Sequence, residues 1–290
     1  DFMKKNSHGP YFAVLSHYIV HTPITPLKAK VPKYEKGEKT DQINPEYAAL
    51  VESVDESVQQ VLQAIKNLGQ EENTVVIFTS DNGGLTPNIT SNYPLMGGKS
   101  FPFEAGMKVP FIIKWPKKIK PGVSSERIVG TDIYPTILAA AGLDLRPEQH
   151  VDGINLMPLA SKKEPLPERP IVFHFPHYTH ATGPFSSIIE DNWKLIHFYN
   201  NEAGDYLLYN LAEDPEEQKN MVESEPEKRD ILARRLNVLL TEMQAEMPEK
   251  NPDFSYSPDN ERLYNLESTL NLAERERRIF EKRLGGINEE

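Results

Sequence analysis

The spacing of apolar positions changes near residue 165. Before it, short unbroken apolar runs alternate with helical periodicities. Residues 11–17 (YFAVLSH) follow Gly9-Pro10 and predict a buried strand. Residues 74–79 (TVVIFT), rich in β-branched side chains, predict a strand covered on both faces, as in a parallel sheet. Residues 109–115 (VPFIIKW) predict another strand. Asn44-Pro45 opens a helix with Pro in its first turn. Leu50, Val54, Val58, Val61 and Ile65 then recur at helical spacing, and Gly69 is a natural stop. Residues 131–141 predict a helix despite Pro135, closed by Gly142. The Pro- and Lys-rich stretch 21–40 and the Gly-, Asn- and Pro-rich stretch 81–106 read as loops. Strands joined by helices predict an α/β layered architecture for residues 1–165.

From 166 to 290 the pattern predicts a smaller subdomain of antiparallel strands and helices. Short strands are expected at 171–175, 187–189, 194–199 and 206–211, with tight connections. Residues 226–247 predict a helix with an apolar stripe at Ile231, Leu232, Leu236, Leu239, Leu240 and Met243. Residues 251–258 read as irregular. Residues 260–284, dense in Glu and Arg, predict a final amphipathic helix that packs on the body of the protein or serves an oligomer contact.

Composition narrows the function classes. A hydrophobic fraction of 38% with 9% aromatic residues suffices for a packed core. The formal net charge of −11 argues against general binding to nucleic acid or an anionic membrane, because the mean field repels polyanions. The chain contains no Cys, which excludes disulfides, cysteine metal sites and a thiol nucleophile within it. No apolar run approaches the roughly 18 residues a membrane span needs. The first ten residues carry no signal-peptide pattern and no initiator Met, and Asp1–Lys5 reads as a helix entered partway. The expectation is a chain that begins inside a larger gene product.

Three segments bear candidate chemistry. Ser80-Asp81-Asn82-Gly83-Gly84 follows directly on a predicted strand, where ligand sites of α/β sheets lie. Asp81 offers a carboxylate and Asn82 an amide oxygen, hard ligands suited to Ca²⁺ or Mg²⁺, and Asp-Asn-Gly is also ordinary turn chemistry. Lys99 stands in the Gly-rich stretch 97–106, where it could donate to an anionic ester oxygen or lie solvated at the surface. Glu104 is placed to brace that loop. Gly98-Lys99-Ser100 is not the end of a phosphate-binding P-loop, since Tyr93 stands where that motif needs Gly. His17 and His21 flank the end of the first predicted strand, and His21-Thr22-Pro23 reads as a rigid turn. His21 there suits an anion contact, proton donation to a leaving group, or a structural hydrogen bond. His174, His177 and His180 are spaced H-x-x-H-x-x-H, but Pro176 breaks regular geometry and no second shell supports zinc.

Together these segments resemble the formylglycine-dependent (type I) sulfatases of the alkaline phosphatase-like superfamily. PYFAVLSHYIVHTPI resembles the family strand that ends in a His-x-Pro turn. TVVIFTSDNGG resembles its metal-binding strand end, and GGKSFPFEAGMKVPFIIKWP its G-K-…-E-G-G-x-R-x-P segment, with Ala105 and Lys108 as departures. TDIYPTILAAAG, DGINLMPL, NWKLIHFY and YLLYNLAEDPEEQKNM agree with later family features, so the resemblance runs over roughly residues 2–254. It implies the carboxyl-terminal part of the sulfatase mixed sheet with flanking helices (1–165), followed by the smaller subdomain. It also implies Asp81 and Asn82 as calcium ligands and His21 and Lys99 as sulfate contacts, with His21 also protonating the departing ester oxygen. His177 becomes a candidate for substrate contact, or remains a surface-loop His. The expected substrate is a sulfated small molecule or glycan, and the expected setting is periplasmic or extracellular. The family nucleophile is made from Cys or Ser in C/S-x-P-x-R. The nearest approach, Ser224-Glu225-Pro226-Glu227-Lys228-Arg229, has its Arg one place too far, so formylglycine is expected in a missing amino-terminal half. The other readings are a non-catalytic sulfated-glycan-binding module and a phosphatase or phosphodiesterase relative.

Overall fold

A computed structural model describes residues 1–36, 42–85, 89–179, 181–199, 205–249, 251–253 and 266–287. Helices α1 (Phe2–Lys5), α2 (Val31–Glu35) and α3 (Pro45–Asn67) precede strand β1 (Val76–Thr79). Then come α4 (Glu104–Met107), β2 (Phe111–Lys114), α5 (Ile133–Ala140) and α6 (Met157–Lys162). Strands β3 (Ile171–Phe175), β4 (Phe185–Glu190), β5 (Trp193–Phe198) and β6 (Asp205–Asn210) follow, and α7 (Pro226–Glu242) and α8 (Leu266–Ile287) complete the order. The chain divides into two units. One comprises Asp1–Glu38, Asn44–Asp81 and Pro110–Pro167, the other Lys39–Ile43, Asn82–Val109 and Glu168–Glu290.

In the first unit, Asn44 caps α3 by accepting the Glu46 and Tyr47 amides at 3.0 Å, and Pro45 sits where no helical amide bond is lost. Ala49, Leu50 and Ile65 are buried on its inner face. The one-turn helix α2 lies within the stretch expected to be a loop. Pro32 suits its first turn, and tertiary bonds hold it: Tyr34 donates to Glu52 at 2.7 Å and Lys33 Nζ lies 3.1 Å from the same carboxylate. Residues 37–40 of that stretch lie outside the described residues. Pro135 falls in the first turn of α5, whose leading amides need no helical partner, so the helix forms as expected. Buried Asp132 then ties α5 to the following segment, accepting the Val129 and Ile154 amides at 2.9 Å.

Two strand expectations are corrected. Strand β1 pairs antiparallel with β2, Val76 opposite Lys114 and Thr79 opposite Phe111, and Val76–Phe78 are only partly buried. A continuous apolar run reports burial and not strand direction, so the parallel reading had no support beyond pattern. Residues 11–17 form no strand. Phe12, Val14 and Leu15 are 66%, 73% and 60% exposed, and polar anchors rather than a ladder hold the segment. Tyr11 donates to Gln70 at 3.0 Å, and His17 Nε2 lies 2.8 Å from Ser57 Oγ on α3.

The second unit is built on the antiparallel sheet β3-β4-β5-β6, as the short strands with tight connections predict. Val172, Ile188, Leu195 and Leu208 form one cross-strand row, and Leu232, Leu236 and Leu240 of α7 pack on it. Ile231 and Met243 of the expected stripe are exposed, so the seam is narrower than the sequence suggests. Helix α7 ends at Glu242 and not at 247. Gln244 turns left-handed at φ 53°, the Ala245 amide returns to Leu240, and Pro248 follows. The opposite face of the sheet is buried as well, through Ile189, Lys194, Tyr209, Ile196 and Leu207. Helix α8 buries Thr269 and Ala273, and Arg277–Glu281 and Arg278–Glu274 form i,i+4 ion pairs along it. Residues 260–265 of the expected final helix and 254–258 of the irregular stretch lie outside the described residues.

Leu236→Ala is expected to cost about 2–5 kcal/mol in urea denaturation, because Leu236 is 1% exposed at the centre of the α7 seam. Val238→Ala, on the exposed side, should stay within about 0.5 kcal/mol.

Candidate functional site

The chain passes from the first unit to the second between Asp81 and Asn82. His21 and Asp81 therefore belong to the first unit, and Asn82, Lys99 and His177 to the second. In the second unit the structure brings the strand-end motif and the lysine loop together through their backbones. The Gly83 amide donates to Gly106 O at 2.9 Å and the Lys99 amide to Gly84 O at 3.0 Å. The Asn92 side chain completes the clamp: Nδ2 reaches Gly84 O at 3.0 Å and Gly97 O at 3.3 Å, and Oδ1 accepts the Gly84 amide. Such close approach requires glycine. A Cβ on Gly83 would stand 1.7 Å from Ala105 O, and one on Gly106 would meet Phe101 O and Gly98 O at 2.4 and 2.5 Å. Residues 98 and 106 thus form the closed neck of a loop that carries Lys99.

Ser100 adopts a left-handed φ of 76° beside Lys99, and its carbonyl accepts from the hydroxyls of Thr179 and Thr182, each at 3.4 Å. Lys99 is thus fixed at its own amide and at the next carbonyl, with its side chain partly exposed. His177 lies exposed in the turn that leads to Thr179, its ring edge-on to Phe175 at 5.7 Å. His174 has structural partners, Nδ1 at 2.7 Å from Ser186 Oγ and Nε2 at 2.8 Å from Glu246 O, and His180 lies outside the described residues.

In the first unit His21 is exposed, with Nδ1 2.8 Å from Thr22 O. A carbonyl can only accept, so Nδ1 carries the proton of that bond. The neutral ring therefore presents an unprotonated Nε2, and His21 can donate a second proton only as an imidazolium. Asp81 lies exposed at the end of β1, with its Oδ1 3.5 Å from Ser80 Oγ. Asp81 and Asn82 offer a carboxylate and an amide oxygen, a donor set whose chemistry suits calcium or magnesium but falls short of the about six to eight oxygens calcium gathers. Among the described residues no group of three or more His, Cys, Asp or Glu could hold a metal ion.

Sequence reading singled out Glu104 but missed its partners. Lys194 of β5 lies 3.1 Å from the Glu104 carboxylate and 2.7 Å from that of Glu217, and both Lys194 and Glu217 side chains are fully buried. Glu217 Oε2 also accepts the Glu104 amide at 2.6 Å. The Glu217 backbone is left-handed, φ 58°. Burial pushes the Glu217 carboxyl up to about 7, opposed by the Lys194 ammonium and the Glu104 amide bond. Tyr209, buried next to this group, is also pushed well above the ordinary phenol range, first by burial and then by Glu217. Alternation along 193–198 gave the only sequence signal: a Lys in phase with Ile196 and Phe198, which faces solvent only if that side of the sheet is open.

Several known proteins are similar to this chain. The family described as Sulfatase matches residues 1–143, and the one described as N-sulphoglucosamine sulphohydrolase, C-terminal, matches residues 96–246, more than half of the chain. A Formosa agariphila protein named sulfatase is 32% identical over 255 residues, covering 81% of this chain and 46% of that protein. Human steryl-sulfatase is 29% identical over 266 residues, covering 80% and 44%. The crystal structure of Ps i-CgsB in complex with k-i-k-neocarrahexaose aligns with a TM-score of 0.72 at 26% identity, covering 90% of this chain and 55% of that one. The chain spans about half the length of the curated relatives it matches.

Gly83→Ala should cost about 1–3 kcal/mol or more, since the new methyl meets backbone and not a flexible side chain, and amide exchange at Lys99 should rise with it. The Glu217 carboxyl is raised in the folded state, so its stabilising contribution is complete below about pH 4.5 and is lost as pH rises through about 7. Glu217→Gln cannot titrate. The stability of the wild type relative to this variant should therefore fall by at least about 1 kcal/mol between pH 4.5 and 8 in urea titrations.

Proposed function

The chain belongs to the sulfatase family, and from that premise we propose that it forms part of an enzyme that hydrolyses sulfate esters, with a sulfated carbohydrate as substrate. The observation that carries this reading is the backbone junction of the strand-end motif and the lysine loop, where the Lys99 amide donates to Gly84 O at 3.0 Å. It fixes the base of a cationic side chain beside Gly83 and Gly84, which are packed closely against Ala105 O, Thr90 and Asn92.

Each assignment follows its own segment. Lys99 contributes a compact positive charge to the sulfate oxygens, where negative charge builds as the ester bond breaks. His21 contacts a sulfate oxygen and, as the imidazolium, gives its Nε2 proton to the departing ester oxygen, while Nδ1 stays bonded to Thr22 O. Asp81 and Asn82 contribute two oxygens to a calcium or magnesium ion, and His177 contacts the substrate beyond the sulfate. Bound metal would stabilise charge on the sulfuryl oxygens, and a formylglycine supplied from outside these 290 residues would act as nucleophile. The sequence has no Cys and no Ser-x-Pro-x-Arg, in keeping with an external nucleophile. The remaining part of the enzyme is thus the principal partner. We place the intact enzyme in the periplasm or outside the cell on family grounds; among the described residues no helix is long and apolar enough to cross a membrane.

The carbohydrate assignment is supported by the hexaose bound in the structural neighbour. The human relative is named for steryl sulfate, so the substrate panel should contain both types. The 290-residue chain alone should not turn over 4-nitrophenyl sulfate. A polypeptide that joins it to a C/S-x-P-x-R segment bearing formylglycine should hydrolyse a sulfated sugar in preference to a steryl sulfate, and Lys99→Ala should lower kcat by about 10²–10³. Turnover by the short chain, or full activity of the Lys99→Ala enzyme, would sink the reading.

A further inference from the structure

The Lys99 loop is tied to the sheet of the second unit by charge in a place where charge is costly. Lys194 and Glu217 are fully buried, and Glu104 is only 16% exposed. Removing such groups from water costs several kcal/mol per ion unless partners compensate. An apolar trio would fill the space equally well but would not fix direction. Here two contacts are directional: Lys194 donates to Glu104 at 3.1 Å, and Glu217 Oε2 accepts the Glu104 amide at 2.6 Å, while Glu217 Oε1 meets the Lys194 ammonium as an ion pair at 2.7 Å. The partners lie 90 and 113 residues beyond Glu104, so their pairing encodes tertiary position and not local propensity.

The ties are themselves anchored. Lys194 stands on the interior strand β5, and the Glu217 loop is fixed by Asp214, which accepts the Gln218 and Lys219 amides at 3.0 and 2.7 Å. From Glu104 the restraint passes to Lys99 through a short path. Phe103 is fully buried with its ring 6.4 Å from Tyr209, Gly106 donates to Phe103 O, and the Gly106 backbone is pressed on Gly98 O. Lys99 follows directly on Gly98.

We propose that Lys194 and Glu217 are positioning residues for Lys99, acting through Glu104 to hold the lysine loop at its working position against the sheet. The proposal rests on the reading of Lys99 as a sulfate contact, and the test separates the two. In the 290-residue chain, amide exchange of residues 97–108 is compared with that of α7. Acetylation of Lys99 is measured with and without sodium sulfate at matched ionic strength. Glu104→Ala leaves the Lys194–Glu217 pair in place. It should raise loop exchange about tenfold, with α7 unchanged within about twofold, and abolish sulfate protection of Lys99. Glu104→Gln keeps an oxygen facing Lys194 and should restore most of both. Lys194→Met/Glu217→Gln removes the brace without leaving a buried ammonium, and should release the loop in the same way. Unchanged loop exchange in Glu104→Ala and in the double variant would overturn the proposal, as would an equal rise in α7. Wild-type Lys99 acetylated equally fast with and without sulfate would instead overturn the sulfate reading, with the exchange result still deciding the brace.

Discussion

The second unit depends on one dry cluster of charge. Lys194, Glu104 and Glu217 join the middle of the sheet, the lysine loop and the turn after β6, three segments that share no sequence neighbourhood. Fully ionised, the cluster carries one surplus negative charge; burial is the main cause of the elevated Glu217 carboxyl, and the Glu104 carboxylate adds a smaller push in the same direction. Both faces of the sheet are covered. Helix α7 seals one side with Leu232, Leu236 and Leu240, and Phe103 and Tyr209 pack edge-on at the other.

The strand-end segment works by different physics. Its side chains are absent at 83 and 84, and its organisation comes from backbone amides and carbonyls with Asn92 as a side-chain clamp. Backbone groups on a closed loop neck move less than long side chains, so the mobile part of Lys99 is confined to its own four methylenes. His21 carries a complementary constraint in its own unit. Its Nδ1 is engaged by Thr22 O at 2.8 Å, which leaves Nε2 as the ring nitrogen that faces a ligand.

Much of this was legible in the sequence where local rules and tertiary need agree. Asn44-Pro45 marked the start of α3, the short strands with tight connections over 171–211 marked the antiparallel sheet, and Glu104 could be read as a loop brace. Legibility failed where the environment reverses a local signal. An apolar run at 11–17 reads as buried strand, yet it finds no ladder among the described residues and is held by Tyr11 and His17. A Lys in a strand and a Glu in an acidic loop both read as solvated. Only the folded sheet, with a cover on its second face, turns Lys194 and Glu217 inward. The candidate site was legible as motifs, because short glycine-rich segments keep their spacing, whereas its supports come from distant residues that no spacing rule connects.

The left-handed backbone at Glu217 carries a lesson for anyone redesigning this protein. Judged on dihedral angles alone, position 217 asks for glycine or asparagine, and a stabilisation campaign guided by backbone fit would make that exchange. It would relieve a strain of about 1 kcal/mol and strip the second carboxylate from a buried ammonium. The residue that is worst for its own turn is there for the sake of a loop more than a hundred positions earlier, so local optimisation and global architecture give opposite advice at this one site.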